Sequence, residues 1–293
     1  MANSDKVFLL GHPVAHSKSP VTHNAAYKLL GIPWTYELAD RAEEKDAIEF
    51  LKAADFVGIN ITTPYKPLAF KYSQKQDPSA ILAGGANVLV KTDEGLIAYN
   101  TDGKGVIWFL TYKGVKFDGA KVVVCGTGPT SHAITHEALE AGATVHMLGR
   151  DAQRSKAKVA DYLQKRIDLG LEDFSNRLEG NSYEAAQDVI KDADIIIDAT
   201  VLGMKEGDPA AFDVTLLSDK QVVMDVVYGH GITALNQGAK DAGALFYDGG
   251  GMLVAQAVET IRIWTEANGI EPSCTWDKVF EEMVRAGGFE NIL

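Results

Sequence analysis

An α/β fold with two domains is predicted for this chain by three observations. Short β-branched runs alternate with longer amphipathic ones from end to end. At 293 residues the chain exceeds the usual size of a single hydrophobic core. From Lys121 onward the rhythm becomes a regular strand, glycine turn, helix and strand, the pattern of a parallel sheet.

In the first third, KVFLL, WTYEL and FVGINIT are strand candidates, while NVLVK and LIAYN, joined by TDEG, form a predicted hairpin. SPVTHNAAYKLLG reads as a helix, with Ser19 as N-cap, Pro20 in the first turn where its missing N–H costs nothing, and Gly31 as the stop. TDGKGVIWFLTYKG reads as a linking helix. Beyond Lys121 come KVVVC, a glycine turn, a helix ending at EAG and a second strand closed by LGRD. Strands follow at ADIIIDAT, QVVMDVV and ALFYD, with a helix at ITALNQGAKDAG, a long helix at GMLVAQAVETIRIWTEANG and a tail helix around TWDKVFEEMVRAG. The polar stretch 169–186 is expected to be a loop or a short helix. No internal repeat interrupts the series.

Composition narrows the function. A formal charge of −12 with no block of lysines or arginines argues against a nucleic-acid or acidic-membrane partner, so an anionic ligand needs local donors. No apolar run is long enough to span a bilayer, and the opening MANSDKVFLLGHP is too weakly apolar for a signal peptide. Cys125 and Cys274 have no partner spacing for a disulfide or zinc site, which suits a reducing, cytoplasmic setting. His12, His16 and His23 match no standard metal spacing, and a structural or loop role is expected for them. His132, His136 and His146 are expected on helix or strand surfaces.

Gly126 and Gly128 follow an apolar strand and open a helix, a turn that lets backbone approach a pyrophosphate at the helix N-terminus. The Rossmann-type fingerprint is imperfect, since Ser131 stands where a third glycine or alanine is usual and Pro129 offers no N–H. A plain tight turn is the alternative. In favour of a dinucleotide, the next strand ends at LGRD, roughly 20 residues on, where such folds read the adenosine ribose.

Six blocks, GHPVAHSKSPVTHN, NITTPYK, YNTDGKG, DATVLGM, DVVYGHGITAL and GGGMLVAQA, together resemble the shikimate dehydrogenase family, in that family's order. The resemblance implies a substrate-binding domain at 1–102, completed by 249–293, and a Rossmann dinucleotide-binding domain at 103–248, with a cleft where they meet. It also implies reversible hydride transfer between a nicotinamide cofactor and shikimate or 3-dehydroshikimate. Ser17 and Ser19 would hold the substrate carboxylate, helped by the helix N-terminus at Ser19 and Pro20. Thr62, Asn87, Asp102 and Gln256 match positions that contact ring hydroxyls, and Tyr228 matches a further cleft residue. Lys66 and Asp102 would form the catalytic pair, with Lys66 shuttling the proton that accompanies the hydride.

On the cofactor side the resemblance points to Gly126, Gly128, Pro129 and Thr130 in the turn, and to Arg150, Asp151 and Arg154 after the second strand. Thr200 and Gly249 match further cofactor-binding positions and Met252 one near the nicotinamide, although a methionine filling a core gap fits position 252 as well. Departures cluster in the cofactor half: Thr127 and Pro129 replace alanine and glycine, Asp198 replaces asparagine, and His230 replaces proline. Val88, where threonine usually follows Asn87, is the exception. Arg150 and Arg154 match a clamp for the 2′-phosphate of NADP, whereas Asp151 would repel it and accept hydrogen bonds from a free ribose diol. NAD or NADP is expected, with a lean to NAD. Both serines of the SxS pair stand, which favours shikimate over quinate. A quinate or aminoshikimate dehydrogenase is the alternative within the fold, and a catalytically silent metabolite sensor the alternative of another class.

Overall fold

The protein, a computed structural model, is described over residues 5–293. The chain begins with β1 (Lys6–Gly11), α1 (Ser19–Leu30), β2 (Thr35–Asp40), α2 (Glu44–Ala53), β3 (Gly58–Ile61) and α3 (Lys66–Tyr72). It continues through β4 (Lys75–Gln76), α4 (Pro78–Ala83), β5 (Val88–Thr92), β6 (Gly95–Tyr99) and α5 (Asp102–Tyr112). Next come β7 (Lys121–Cys125), α6 (Pro129–Glu140), β8 (Thr144–Gly149), α7 (Ala152–Asp168), β9 (Leu178–Ser182), α8 (Gln187–Lys191) and β10 (Ile195–Asp198). The last elements are β11 (Val222–Asp225), α9 (Ala234–Ala242), β12 (Leu245–Tyr247), α10 (Gly250–Ala267) and α11 (Trp276–Gly287). Two compact units result: one runs to Gly105 and resumes at Val254–Leu293, the other is Val106–Leu253. The boundaries fall inside α5 and α10.

The first unit holds a six-stranded sheet in the order β2-β1-β3-β5-β6-β4. Its β1, β2 and β3 pair in parallel, and β5 and β6 close it as an antiparallel hairpin through residues 93 and 94. Val7 to Leu10 are buried without alternation, as expected of a strand covered on both faces. One shift from the sequence reading occurs at α1. Lys18, not Ser19, is the N-cap, and Ser19 is the first helical residue, with its N–H donating to Ser17 Oγ at 3.2 Å. Gly31 ends the helix at φ 69°, a conformation costly for any residue with a Cβ.

The second unit is a six-stranded sheet ordered β12-β11-β10-β7-β8-β9, with every pair parallel. Counted from β7, this is the doubly wound order 3-2-1-4-5-6, and its direction reverses between β7 and β10. Such folds bind ligands at the carboxyl ends of the strands beside that reversal. The polar stretch expected as loop or short helix contains β9. LEGNS has no apolar run to announce a strand; pairing with β8 makes it one, and Gly180 is required because a Cβ there would lie 2.6 Å from the Ser155 carbonyl oxygen.

Gly58 gives a direct test of packing in the first unit. A Cβ there would fall 2.1 Å from Trp264 Nε1, on a fully buried indole that donates to the Leu89 carbonyl at 3.1 Å. Gly58→Ala is therefore expected to cost about 1–3 kcal/mol by overpacking, measured as a lowered urea midpoint. An unchanged midpoint would mean the indole moves aside freely.

Candidate active site

Lys66 and Asp102 arrive from separate elements. Past β3, a turn closed by the Tyr65 N–H donating to the Thr62 carbonyl at 2.9 Å leads into α3, whose first residue is Lys66. Pro67 occupies the first turn, where no N–H is required. Asp102 opens α5 directly after β6. Lys66 Nζ donates to Asp102 Oδ2 at 2.5 Å, with side chains 22% and 5% exposed. The other carboxylate oxygen accepts from Asn87 Nδ2 at 2.9 Å. A carboxylate so poorly solvated needs this compensation, and the N-terminus of α5 adds favourable partial charge.

Asn87 is the hub. Its Oδ1 accepts from the Thr101 N–H at 2.8 Å, and its amide faces Thr101 Oγ1 at 2.9 Å and Gln256 Oε1 at 3.2 Å as well as Asp102. Gln256 reaches this point because α10 runs so close to α5 that a Cβ on Gly105 would lie 2.7 Å from Gln256 Cβ. Asn60 Nδ2 donates to the Asn87 carbonyl at 3.2 Å. Asn60, Thr101 and Thr260 are network members that sequence reasoning missed. The available signal was polarity in otherwise apolar surroundings, as at Asn60 within the buried strand GINI.

The serine pair is built on the turn before α1. Ser17 Oγ donates to Ser19 Oγ at 3.1 Å, and Ser19 lies in the first turn of the helix. Beneath it, burial holds His23 down to about 4, so the ring is neutral near pH 7, with Nδ1 donating to the Ser19 carbonyl at 2.8 Å. Thr62 is half-buried just past β3, with its N–H on the Leu10 carbonyl at 3.0 Å. His12 pairs with Asp40 at 2.6 Å. Among the described residues, no group of three or more histidine, cysteine or acidic side chains is arranged to hold a metal ion.

In the second unit the turn after β7 fits a dinucleotide. Gly126 has φ 107°, and Gly128 is the N-cap of α6, giving no side-chain cap and having nothing within 4 Å of where a Cβ would stand. The N-terminus of α6 presents its positive end to this turn, and Pro129 sits where its lack of an N–H matters least. Ser131 is fully buried, its Oγ without a hydrogen-bond partner and 2.7 Å from the Cβ position of Gly126. It acts as the small residue that lets helix and strand pack closely.

Arg150, Asp151 and Arg154, with Thr127, Gly149 and Ser155, line a cavity of about 290 Å³. Asp151 is also the N-cap of α7, its Oδ1 accepting the Arg154 N–H at 2.8 Å. Thr200 donates its N–H to Asp198 Oδ1 at 2.8 Å, and its hydroxyl accepts from Leu202 N at 3.1 Å. Tyr228 follows β11 half-buried, and burial pushes its phenol up. Gly249 is a packing glycine, since a Cβ would lie 2.0 Å from the Val226 carbonyl oxygen; Met252 is buried in α10. His132, expected on a helix surface, is instead buried, with Nδ1 at 2.8 Å from the Gly128 carbonyl. The face of α6 that carries it also buries Ser131 and Thr135.

Residues 9–89 match the model of the shikimate dehydrogenase substrate binding domain. A shikimate dehydrogenase (NADP(+)) of Methanothrix thermoacetophila is 36% identical over 260 residues, covering 88% of this chain and 90% of its own. The chain belongs to the shikimate dehydrogenase family. A crystal structure of a shikimate dehydrogenase in complex with NADP+ superposes with TM-score 0.81 and 30% identity, covering 100% of this chain and 97% of that one. The shikimate 5-dehydrogenase of Listeria monocytogenes, in complex with shikimate and NAD, gives TM-score 0.78 and 27% identity, with 96% of each chain covered.

Asp198, where the family resemblance sets an asparagine, ends β10 opposite Asp225 at the end of β11. Burial, and secondarily the Asp225 charge, pushes its carboxyl up to about 6 despite opposing hydrogen bonds from Thr200. The folded chain therefore holds this proton more tightly than the unfolded one. That contribution to stability is full below about pH 4 and is lost as pH rises through about 6. Asp198→Asn, which removes the titration, should stabilise the protein by roughly 1–2 kcal/mol more at pH 7.5 than at pH 5. Parallel thermal-stability profiles for the two proteins would contradict this.

Proposed function

We propose that this chain interconverts shikimate and 3-dehydroshikimate by reversible hydride transfer with a nicotinamide cofactor, preferring NADP. The observation that carries the reading is the Lys66–Asp102 contact at 2.5 Å inside a network of amides and hydroxyls. Such a site suits a small ring bearing several hydroxyls. Its carboxylate would be met by Ser17 and Ser19 at the start of α1, where hydroxyl donors and helix N–H groups favour an anion. Thr62, Asn87 and Gln256 would take the ring and its hydroxyls.

In the oxidising direction the neutral Lys66 amine accepts the proton of the reacting hydroxyl, and as ammonium it returns that proton in reduction. The bound nicotinamide supplies the hydride chemistry. Asp102 fixes the lysine nitrogen and accepts a neighbouring hydroxyl of the ring; Asn87 fixes Asp102. With one acid–base group and an anchored carboxylate, the ring is held in one orientation. The two unbridged cysteines suit a cytoplasmic setting, where the reducing poise leaves them as thiols.

For the cofactor, the balance moves from NAD toward NADP. The reason is the engagement of Asp151, whose Oδ1 is occupied by the Arg154 N–H, which draws part of its charge into capping α7. Two arginines line the same cavity, so the local charge favours a 2′-phosphate. The remaining Asp151 oxygen still suits a ribose diol, which keeps NAD usable.

Steady-state kinetics over shikimate and quinate, each with NADP and NAD, test the reading. Shikimate with NADP is expected to give the highest kcat/KM, with NAD measurable and quinate below shikimate. Asp151→Thr should widen the NADP preference. Quinate turned over as efficiently as shikimate would displace the substrate assignment; shikimate bound without any nicotinamide reduction would make the chain a binding protein.

A further inference from the structure

We propose that Asp40 is a positioning residue for substrate binding: from the end of β2 it braces the turn that carries Ser17, and so sets where the serine pair meets the substrate carboxylate; this rests on the shikimate-oxidising reading above. Asp40 closes β2, level with Gly11 at the end of β1. Its Oδ1 lies 2.6 Å from His12 Nδ1, and its Oδ2 accepts the Val14 N–H at 3.2 Å. One carboxylate thus grips the turn at two points.

From Val14 the hold passes directly to the serines. The Val14 carbonyl accepts the Ser17 N–H at 2.9 Å, and Ser17 Oγ donates to Ser19 Oγ while accepting the Ser19 N–H. Val14 is 2% exposed and packs over Gly11, where a Cβ would lie 2.9 Å from Val14 Cγ1 and 2.3 Å from Thr62 Cγ2. With its N–H and its carbonyl both engaged, Val14 passes the position of Asp40 on to Ser17. The brace itself stands on a fixed corner of the sheet. The Arg41 N–H donates to the Gly11 carbonyl at 3.1 Å, and the Arg41 carbonyl accepts the hydroxyl of the buried Tyr65 at 2.6 Å.

An ionised carboxylate only accepts, so His12 donates to it through Nδ1–H. The His12 bond, and after it the Val14 N–H, hold the Asp40 carboxyl below the usual carboxylate range. With its side chain 41% exposed, this contact adds little to the stability of the whole unit. Its consequence is local: without the carboxylate, the Val14 N–H turns to water and the turn before Ser17 loses its tie to β2. Asp40→Ala makes that change. Asp40→Asn keeps both bonds, its Oδ1 taking the Val14 N–H and its Nδ2 donating to His12 in the other tautomer.

Asp40→Ala is expected to raise the KM for shikimate about five- to tenfold, as for one lost hydrogen bond to a charged group, with kcat and the KM for NADP changed less than about twofold. Asp40→Asn should stay within about twofold of wild type in all three. The sign separates the brace from a charge effect, because removing a negative charge alone would lower the KM for an anionic substrate in both variants. That result would overturn the inference, as would an equal rise in both variants, or a lower melting temperature in Asp40→Ala with unchanged KM. In a Ser17→Ala background, Asp40→Ala should raise KM little further, and an undiminished effect there would place its action elsewhere. Should the wild-type protein turn over no shikimate, the functional reading fails on its own, and calorimetric binding of shikimate to wild type, Asp40→Ala and Asp40→Asn decides the matter. A Kd weakened in Asp40→Ala alone then supports the brace; equal Kd values in all three, or no binding to the wild type, remove it.

Discussion

Asp102 presents a carboxylate that solvent scarcely reaches, and much of the first unit is arranged around satisfying it. An unmet hydrogen bond at a buried charged group costs more than a met one gains, which makes a partly satisfied network worse than none. Asn87 resolves this by spending its side-chain amide nitrogen on Asp102 and its Oδ1 on the N–H of Thr101, the residue just before Asp102. The Asp102 N–H in turn donates to Asn100 Oδ1 at 3.0 Å. Side chain and backbone of the residue are thus held from both sides, and the lysine nitrogen inherits that fixed position.

The second unit treats two of its helix N-termini in opposite ways. At the turn after β7 the N-cap of α6 is a glycine, which supplies no side-chain cap and leaves open space where a Cβ would stand. One turn of chain further, at the start of α7, a carboxylate does cap the helix. The same sheet edge thereby offers an uncapped N-terminus suited to a pyrophosphate and a capped one beside two arginines, suited to discriminating the ribose end. An acidic chain can hold a polyanionic cofactor this way, with local donors working against the overall charge of −12.

Much of the architecture was legible because it is local. Runs such as VVVC and IIID declare buried parallel strands by themselves, and glycine after an apolar strand declares the turn. β9 was not legible, since LEGNS is a strand only by virtue of its neighbour. In the site, the motifs carrying Lys66 and Asp102 could be quoted from the sequence, but their 2.5 Å contact spans 36 residues and comes from the fold. Asn60 stands out as a polar residue in an apolar strand, but nothing local showed that it meets Tyr36, 24 residues away. The capping role of Asp151 could not be separated from ligand recognition, because the same carboxylate serves either and only geometry apportions it. His132 misled for a related reason: a polar residue on a helix is expected outward until the packing of that face is known.

The central claim, that the lysine held by Asp102 moves the proton, is tested most directly by comparing kcat and shikimate Kd in Lys66→Ala and wild type. The account predicts a kcat lowered at least ~100-fold, in the range usual for losing a general acid–base group, with a Kd changed far less because the serine pair remains. A variant keeping more than about a tenth of wild-type turnover would contradict it and place the proton transfer on another group.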